Sequence, residues 1–437
     1  MKPIRTIILG AAGRDFHNFN TFFRNNDKFR VVAFTASQIP NIDNKRYPNS
    51  LTGEHYGQGI PIYSESLLPE LVKSLKVDLC ALSYSDLPNQ KVMEIAAGVQ
   101  ALGTDFMLLG PNSTQIKSRK PVISVTAVRT GSGKSQITDY VADFLTKIGV
   151  KYTVVRHPMP YGDLEKQRVQ IFESLEDLDK YNTTIEEREE YEKHLIKGRT
   201  VLAGIEYSEI LKEAESRSEI ILWDGGNNDF SFFKPDLQIT IVDPLRENHE
   251  LLYYPGLTNL MTADIVVINK ENTATKKQID NAIENIKIMN PKAKIVHTES
   301  LVKLTQKIKP RTKAIIVEDG PTTTHGGMTY GAGYLAATKA KLRIIDPRPH
   351  AIGSIKRTLQ KYPNVKEIIP AMGYFPKQLM ELKKTIENSG ADVAIIGTPI
   401  DLSDLLHLNI PSARAEYFIK EKGTMLKKEI LKFARKI

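Results

Sequence analysis

Arg129-Thr130-Gly131-Ser132-Gly133-Lys134-Ser135-Gln136 follows the apolar run Val122–Ala127 and opens a segment with the period of an amphipathic helix. A strand that turns through glycines into a helix can aim its backbone N–H groups at a phosphate. Gly131 and Gly133 permit the turn, Lys134 brings a point charge to β- and γ-phosphates, and the Ser135 hydroxyl stands where it can ligate Mg2+. Gly131, Ser132, Gly133, Lys134, Ser135 and Gln136 are therefore the expected nucleotide-binding loop, although Val128 occupies the place of the pattern's usual first glycine. Arg129, five residues before Lys134, is positioned to stabilise charge on a transferring phosphoryl group, so Lys134 and Arg129 are both candidate catalytic residues.

Such a loop requires a carboxylate for the metal at the end of a neighbouring apolar strand. Glu219-Ile220-Ile221-Leu222-Trp223-Asp224 ends in one, and Gly225-Gly226 would let the backbone approach a γ-phosphate. Ser135 and Asp224 are the expected metal pair, with Asp243 of Val242-Asp243-Pro244 as the alternative acid, and Asn227-Asn228-Asp229 would complete a switch-like loop. Asp163 is a further candidate, for orienting a nucleophile or the metal. Asn269-Lys270-Glu271-Asn272 follows the apolar run Ile265–Ile268 in the place of a guanine-reading Asn-Lys-x-Asp pattern. A carboxylate accepts from both guanine N1–H and N2–H2, whereas the amide of Asn272 has one acceptor. Asn269 and Lys270 are thus expected at the nucleotide, with ATP favoured over GTP.

Three loops after apolar runs concentrate cations among glycines and prolines: Arg156-His157-Pro158 through Asp163, Glu318-Asp319-Gly320 through His325-Gly326-Gly327, and Asp346-Pro347-Arg348-Pro349-His350. In α/β sheets ligands sit beyond the carboxyl ends of strands, so Arg156, His157, His325, Arg348 and His350 are the expected contacts of a small anionic substrate.

The elements that must position these residues alternate short apolar runs with helix-period segments, the mark of a mostly parallel α/β protein. Strand patterns at Arg5–Leu9, Arg30–Thr35, Val77–Ser83 and Asp105–Gly110 predict a Rossmann-like domain over 1–118. A central phosphate-loop domain is expected over 119–311 and a third α/β segment over 312–437. The first turn, Gly10-Ala11-Ala12-Gly13, lacks a third glycine, and the second strand ends without an acid for a ribose, which argues against NAD. The acidic run 184–193 reads as a solvated helix, with closure over the cleft as the alternative. A single cysteine, Cys80, excludes intrachain disulfides and thiolate metal sites. No apolar run reaches the roughly 18 residues of a spanning helix, so a cytoplasmic protein without a membrane partner is expected. The net charge of +9 is dispersed, with no basic tail, which favours small phosphorylated ligands over nucleic acid and leaves homodimerisation open.

Taken together, Thr130–Ser135, Arg156–Leu164, Trp223–Phe230, Val242–Arg246, Glu318–Thr322, Thr324–Met328 and Gly397–Leu402 resemble the cyclic 2,3-diphosphoglycerate synthetase-like family of phosphate-loop proteins, often labelled predicted GTPases. The resemblance spans nearly the whole chain. It implies an ATP- and Mg2+-dependent ligase that closes the two phosphates of 2,3-diphosphoglycerate into an intramolecular phosphoanhydride. The competing readings are a nucleotide-dependent switch or assembly GTPase and a kinase of another small phosphorylated metabolite.

Overall fold

The computed structural model describes residues 2–11, 13–36, 45–157, 159, 162–226, 229–324, 327–365, 367–371, 376–398 and 402–436. Residues 4–108 lay down β1 (Ile4–Leu9), β2 (Phe29–Ala36), β3 (Arg46–Tyr47), β4 (Ile60–Ser64), β5 (Leu79–Leu82), β6 (Leu87–Pro88) and β7 (Asp105–Leu108). All but β6 form one sheet in the order 3-4-2-1-5-7, parallel except for the β3–β4 pair. In the turn after β1, the Asp15 carboxylate accepts hydrogen bonds from the N–H groups of Gly13 (3.1 Å) and Phe16 (2.7 Å). This carboxylate closes the turn locally and caps the N–H groups at the start of the following helix.

The rest of the chain contributes β8 (Val122–Ala127), β9 (Tyr152–Arg156), β10 (Val169–Phe172), β11 (Val201–Gly204), β12 (Ile220–Asp224), β13 (Leu237–Val242), β14 (Tyr253–Tyr254), β15 (Ile265–Ile268), β16 (Lys294–Leu304), β17 (Lys313–Glu318), β18 (Arg343–Ile344), β19 (Ile369–Pro370), β20 (Val393–Gly397) and β21 (Ser412–Glu421). β14 pairs with β6 in a separate two-stranded sheet that ties this part to residues 4–108. The others form one sheet of thirteen strands in the order 10-11-9-12-8-13-15-16-21-20-17-18, with β19 beside β17. The boundary expected near 118 falls between the two sheets; the one expected near 311 falls inside the second. The observed architecture is the expected mostly parallel α/β type. Strand β8 is buried throughout because helices cover both faces: Ile123 and Val125 pack into one core, Val122 into the other.

One antiparallel pair sets the geometry of the site. The first part of β16 pairs in parallel with β15 as far as His297, and the strand then runs on, pairing with β21 from Thr298–Glu421 to Leu304–Ala415. The other end of β21 pairs in parallel with β20. The carboxyl ends of β17 and β20 are therefore turned toward the carboxyl ends of β8, β12 and β15. Ligand positions of two parallel sheets face each other across one cavity. Among the described residues, no helix is long and apolar enough to cross a membrane.

Candidate functional site

The cavity, about 270 Å3, is walled on one side by Arg129–Gly131, Gly133–Gln136, Arg156, His157, Glu189, Glu190 and Lys270, and on the other by Glu318, Asp319, Tyr330, Gly331, Gly397 and Tyr417. The loop after β8 turns through Gly131 (φ 80°) and Gly133 (φ 96°) into the helix Lys134–Lys147. A Cβ on Gly133 would lie 2.2 Å from Asn269 Nδ2, so both backbone angle and space require glycine there. Asn269, fully buried, donates to the Ser132 carbonyl at 3.1 Å, and Lys270 Nζ donates to the Gly131 carbonyl at 2.6 Å and pairs with Asp243 at 2.7 Å. The sequence thus brings Gly131–Gln136, Asn269 and Lys270 together as expected. Asn272 binds the Ser300 backbone in both directions, accepting from its N–H and donating to its carbonyl. Its amide is committed to shaping the loop.

Asp224, at the end of β12, is fully buried and is the electrostatic hub of the site. Its Oδ1 accepts from Lys134 Nζ at 2.7 Å and Thr138 Oγ1 at 2.9 Å, while Arg156 lies 2.8 Å and His194 3.5 Å from Oδ2. Arg156 and Lys134 hold its carboxyl well below the ordinary carboxylate range despite burial. Burial outweighs the pull of Asp224 at Lys134, whose ammonium is brought down to about 8, and it keeps His194 neutral by lowering it to about 4. Arg156 reaches across to Glu190 at 3.0 Å and donates to the Asp224 and Gly225 carbonyls.

Glu190, Lys193 and His194 come from the helix Ile185–Leu195, the acidic segment whose simplest reading was a solvated surface. It is instead a wall of the site. A capping box between Thr184 and Glu187 starts it, and Tyr191 is buried on Phe172. Its sequence disguises this because most of the helix is polar; the capping pair and the buried Tyr191 and Leu195, four residues apart, were the available signals. Ser135 Oγ points at Glu190 Oε2, 3.4 Å away. Among the described residues no three His, Cys, Asp or Glu side chains are grouped to hold a metal unaided. A hard divalent cation that keeps waters and shares phosphate oxygens needs only one or two protein oxygens, and Ser135 with Glu190 and Asp224 offers that donor set.

Other expected site residues are placed differently. Arg129 lines the cavity, but its guanidinium pairs with Asp86 of the first domain and lies 4.0 Å over the Tyr253 ring. His157 pairs with Asp229 at 3.0 Å, and Asp229 is held in turn by Arg14 at 2.8 Å, so the first domain grips both the phosphate loop and the loop after β12. Asp163 is exposed and caps the Glu165 N–H, away from the cavity wall. Arg348 and His350 also lie outside that wall. Arg348 is half-exposed and forked onto Asp346, two residues earlier, which satisfies it locally. His325 lies outside the described residues.

The opposing wall was not read as chemistry beyond its histidine. Glu318, at the end of β17, accepts from the N–H groups of Gly331 (3.1 Å) and Tyr334 (2.8 Å), at the start of the helix Ala332–Lys339. Burial pushes its carboxyl up to about 8. Gly397 must lack a side chain, since a Cβ would stand 2.1 Å from Glu318 Oε2.

No family model matches the chain. Over 433 residues it is 52% identical to the arginine synthetase ArcE of Thermococcus kodakarensis, a match covering 98% of this chain and 96% of that protein. The chain belongs to the family of that synthetase. It is also 22% identical, over 84% of its length and 88% of the relative's, to the cyclic 2,3-diphosphoglycerate synthetase of Thermococcus sibiricus. Both relatives are synthetases, and the protein is an enzyme of this ligase class. The kinship expected from the motifs holds at the level of the family, while the more similar of these two relatives is named for arginine rather than cyclic 2,3-diphosphoglycerate. Among solved structures, LpxK of Aquifex aeolicus in complex with ATP overlaps 84% of this chain and 97% of that one, with 14% identity and a TM-score of 0.42, too loose an overlap to bear on function.

Proposed function

We propose that the protein is an ATP-dependent arginine synthetase that converts the ureido amino acid citrulline and ammonia into arginine. The observation that carries this reading is the division of charge in the cavity. All its basic lining residues, Arg129, Lys134, Arg156, His157 and Lys270, come from the phosphate-loop side. Among the described residues the far wall has none, and it presents Glu318 and Asp319 with Met328, Tyr330, Leu335 and Tyr417. Such a wall suits an amino acid with an α-ammonium group and an aliphatic stem. It suits poorly a substrate with two phosphates and a carboxylate. Cyclisation of 2,3-diphosphoglycerate, implied by the sequence resemblance, is therefore the second reading, with the phosphate loop in its favour.

The chemistry follows from what a ureido carbon needs. Its oxygen is a poor leaving group, so the γ-phosphoryl group passes from ATP to that oxygen and ADP departs. Ammonia then attacks the carbon, the C–O bond breaks, and phosphate leaves with the former ureido oxygen. Lys134 and Arg156 neutralise the transferring group, backbone N–H groups of the loop hold the phosphates in line, and Asp319 holds the α-ammonium end. Mg2+, when bound, would neutralise phosphate oxygens beside Ser135. Because Asn272 is spent on Ser300, no carboxylate is offered to guanine at that position, which favours ATP. The test is ADP release by the purified protein with Mg-ATP plus citrulline and ammonia, or with Mg-ATP plus 2,3-diphosphoglycerate. Release that requires both citrulline and ammonia is expected; release driven by 2,3-diphosphoglycerate alone would reverse the order of the two readings.

A further inference from the structure

Asp224 and Glu190 are unequal partners for a metal. Asp224 is fully buried and does not reach the cavity wall; its Oδ1 accepts from Lys134 and Thr138 at 2.7 and 2.9 Å, and its Oδ2, without a hydrogen bond, lies 2.8 Å from the Arg156 guanidinium, which stands between it and the cavity side chain of Glu190. Glu190 lines the cavity with its side chain 29% exposed, on the same face as Ser135, whose hydroxyl lies 3.4 Å from its Oε2. Its helix is held in place from both ends, by the Thr184–Glu187 box and by buried His194, which bonds Arg199 at 3.2 Å. Arg156 and Lys193 pair with Glu190 Oε2 at 3.0 and 3.5 Å.

We propose that Glu190 is a metal ligand of the site, acting with Ser135 on the divalent cation that accompanies the nucleotide, while Asp224 positions Lys134 and Arg156. A hydroxyl and one carboxylate facing a triphosphate are the sparse oxygen set that Mg2+ accepts. The assignment rests on the phosphoryl-transfer reading above.

Affinity for the β,γ-imido analogue of ATP, measured by calorimetry in Mg2+ and in EDTA, separates the two. The wild type should bind at least tenfold more tightly in Mg2+. Glu190→Gln should lose that gain, while its EDTA affinity stays the same or rises, because Arg156 and Lys193 are released toward the phosphates. Glu190→Cys should bind weakly in Mg2+ and regain tight binding in Cd2+, a thiophilic cation, with the buried Cys80 out of reach and the wild type as control. Full retention of the Mg2+ gain in Glu190→Gln would overturn the assignment, as would failure of Cd2+ to restore Glu190→Cys. A wild type that binds no analogue under either condition would instead overturn the phosphoryl-transfer reading, and this inference with it.

Discussion

Replacing Asp224 by Asn keeps the shape of the hub and removes its charge. In the folded protein Asp224 faces Lys134 at 2.7 Å and Arg156 at 2.8 Å with no exposed surface. Breaking a buried ion pair from one side costs about 3–5 kcal/mol, because the remaining charge stays buried without its partner. The lower end applies here, since Arg156 keeps Glu190 and two carbonyl acceptors. A loss of about 3 kcal/mol in a cooperative unit of this size lowers Tm by roughly 3–5 °C. The same argument makes a second, less ordinary claim: tripolyphosphate in EDTA should stabilise Asp224→Asn more than wild type, because it returns negative charge to Lys134 and Arg156. Thermal melts with and without tripolyphosphate measure both. The sign with pH is fixed as well. Asp224 is held below the usual range, so its contribution is full above its unfolded value near 4 and fades as pH falls through the folded value. The gap between variant and wild type should therefore narrow in acid. A variant melting within about 2 °C of wild type at pH 7, or gaining less from tripolyphosphate, would refute the hub.

Three further outcomes follow from the same geometry. Burial brings the Lys134 ammonium down to about 8, so nucleotide affinity in EDTA should weaken as pH rises through 8, as read by calorimetry. Asp319→Asn should raise KM for citrulline by about one to two decades, the equivalent of one charge-assisted hydrogen bond of roughly 1.5–3 kcal/mol, while KM for ATP stays within twofold. Arg348→Ala should leave both KM values within twofold, because its guanidinium is satisfied by Asp346 outside the cavity wall; a tenfold rise would return Arg348 to the substrate site.

What could be read from sequence was local. The strand–turn–helix around Gly131–Ser135, the acid ending Ile220–Asp224 and the Asn269-Lys270 pair each sit within a few residues of the pattern that announces them. What could not be read depended on distant partners. Arg129 looks like a free loop cation until Asp86, 43 residues earlier, is folded against it. The acidic helix Ile185–Leu195 conceals its role because Glu190 and Lys193 are held at the cavity by ion pairs rather than by apolar packing. Facing sheets depend on residues 298–304 meeting 415–421, more than a hundred positions apart, and neither β21 nor the far half of β16 was among the expected strands. For Arg348 a signal was present and was missed: an acid two residues before an arginine in a proline-rich turn favours a local pair.

The central claim is that phosphoryl transfer to a ureido oxygen drives arginine formation. Citrulline labelled with 18O in the ureido group, incubated with Mg-ATP, ammonia and the wild-type protein, tests it directly by phosphorus NMR and amino-acid analysis. Arginine, ADP and phosphate should appear in equal amounts, with each phosphate carrying one 18O. Unlabelled phosphate, or ATP consumption without arginine, would contradict the account.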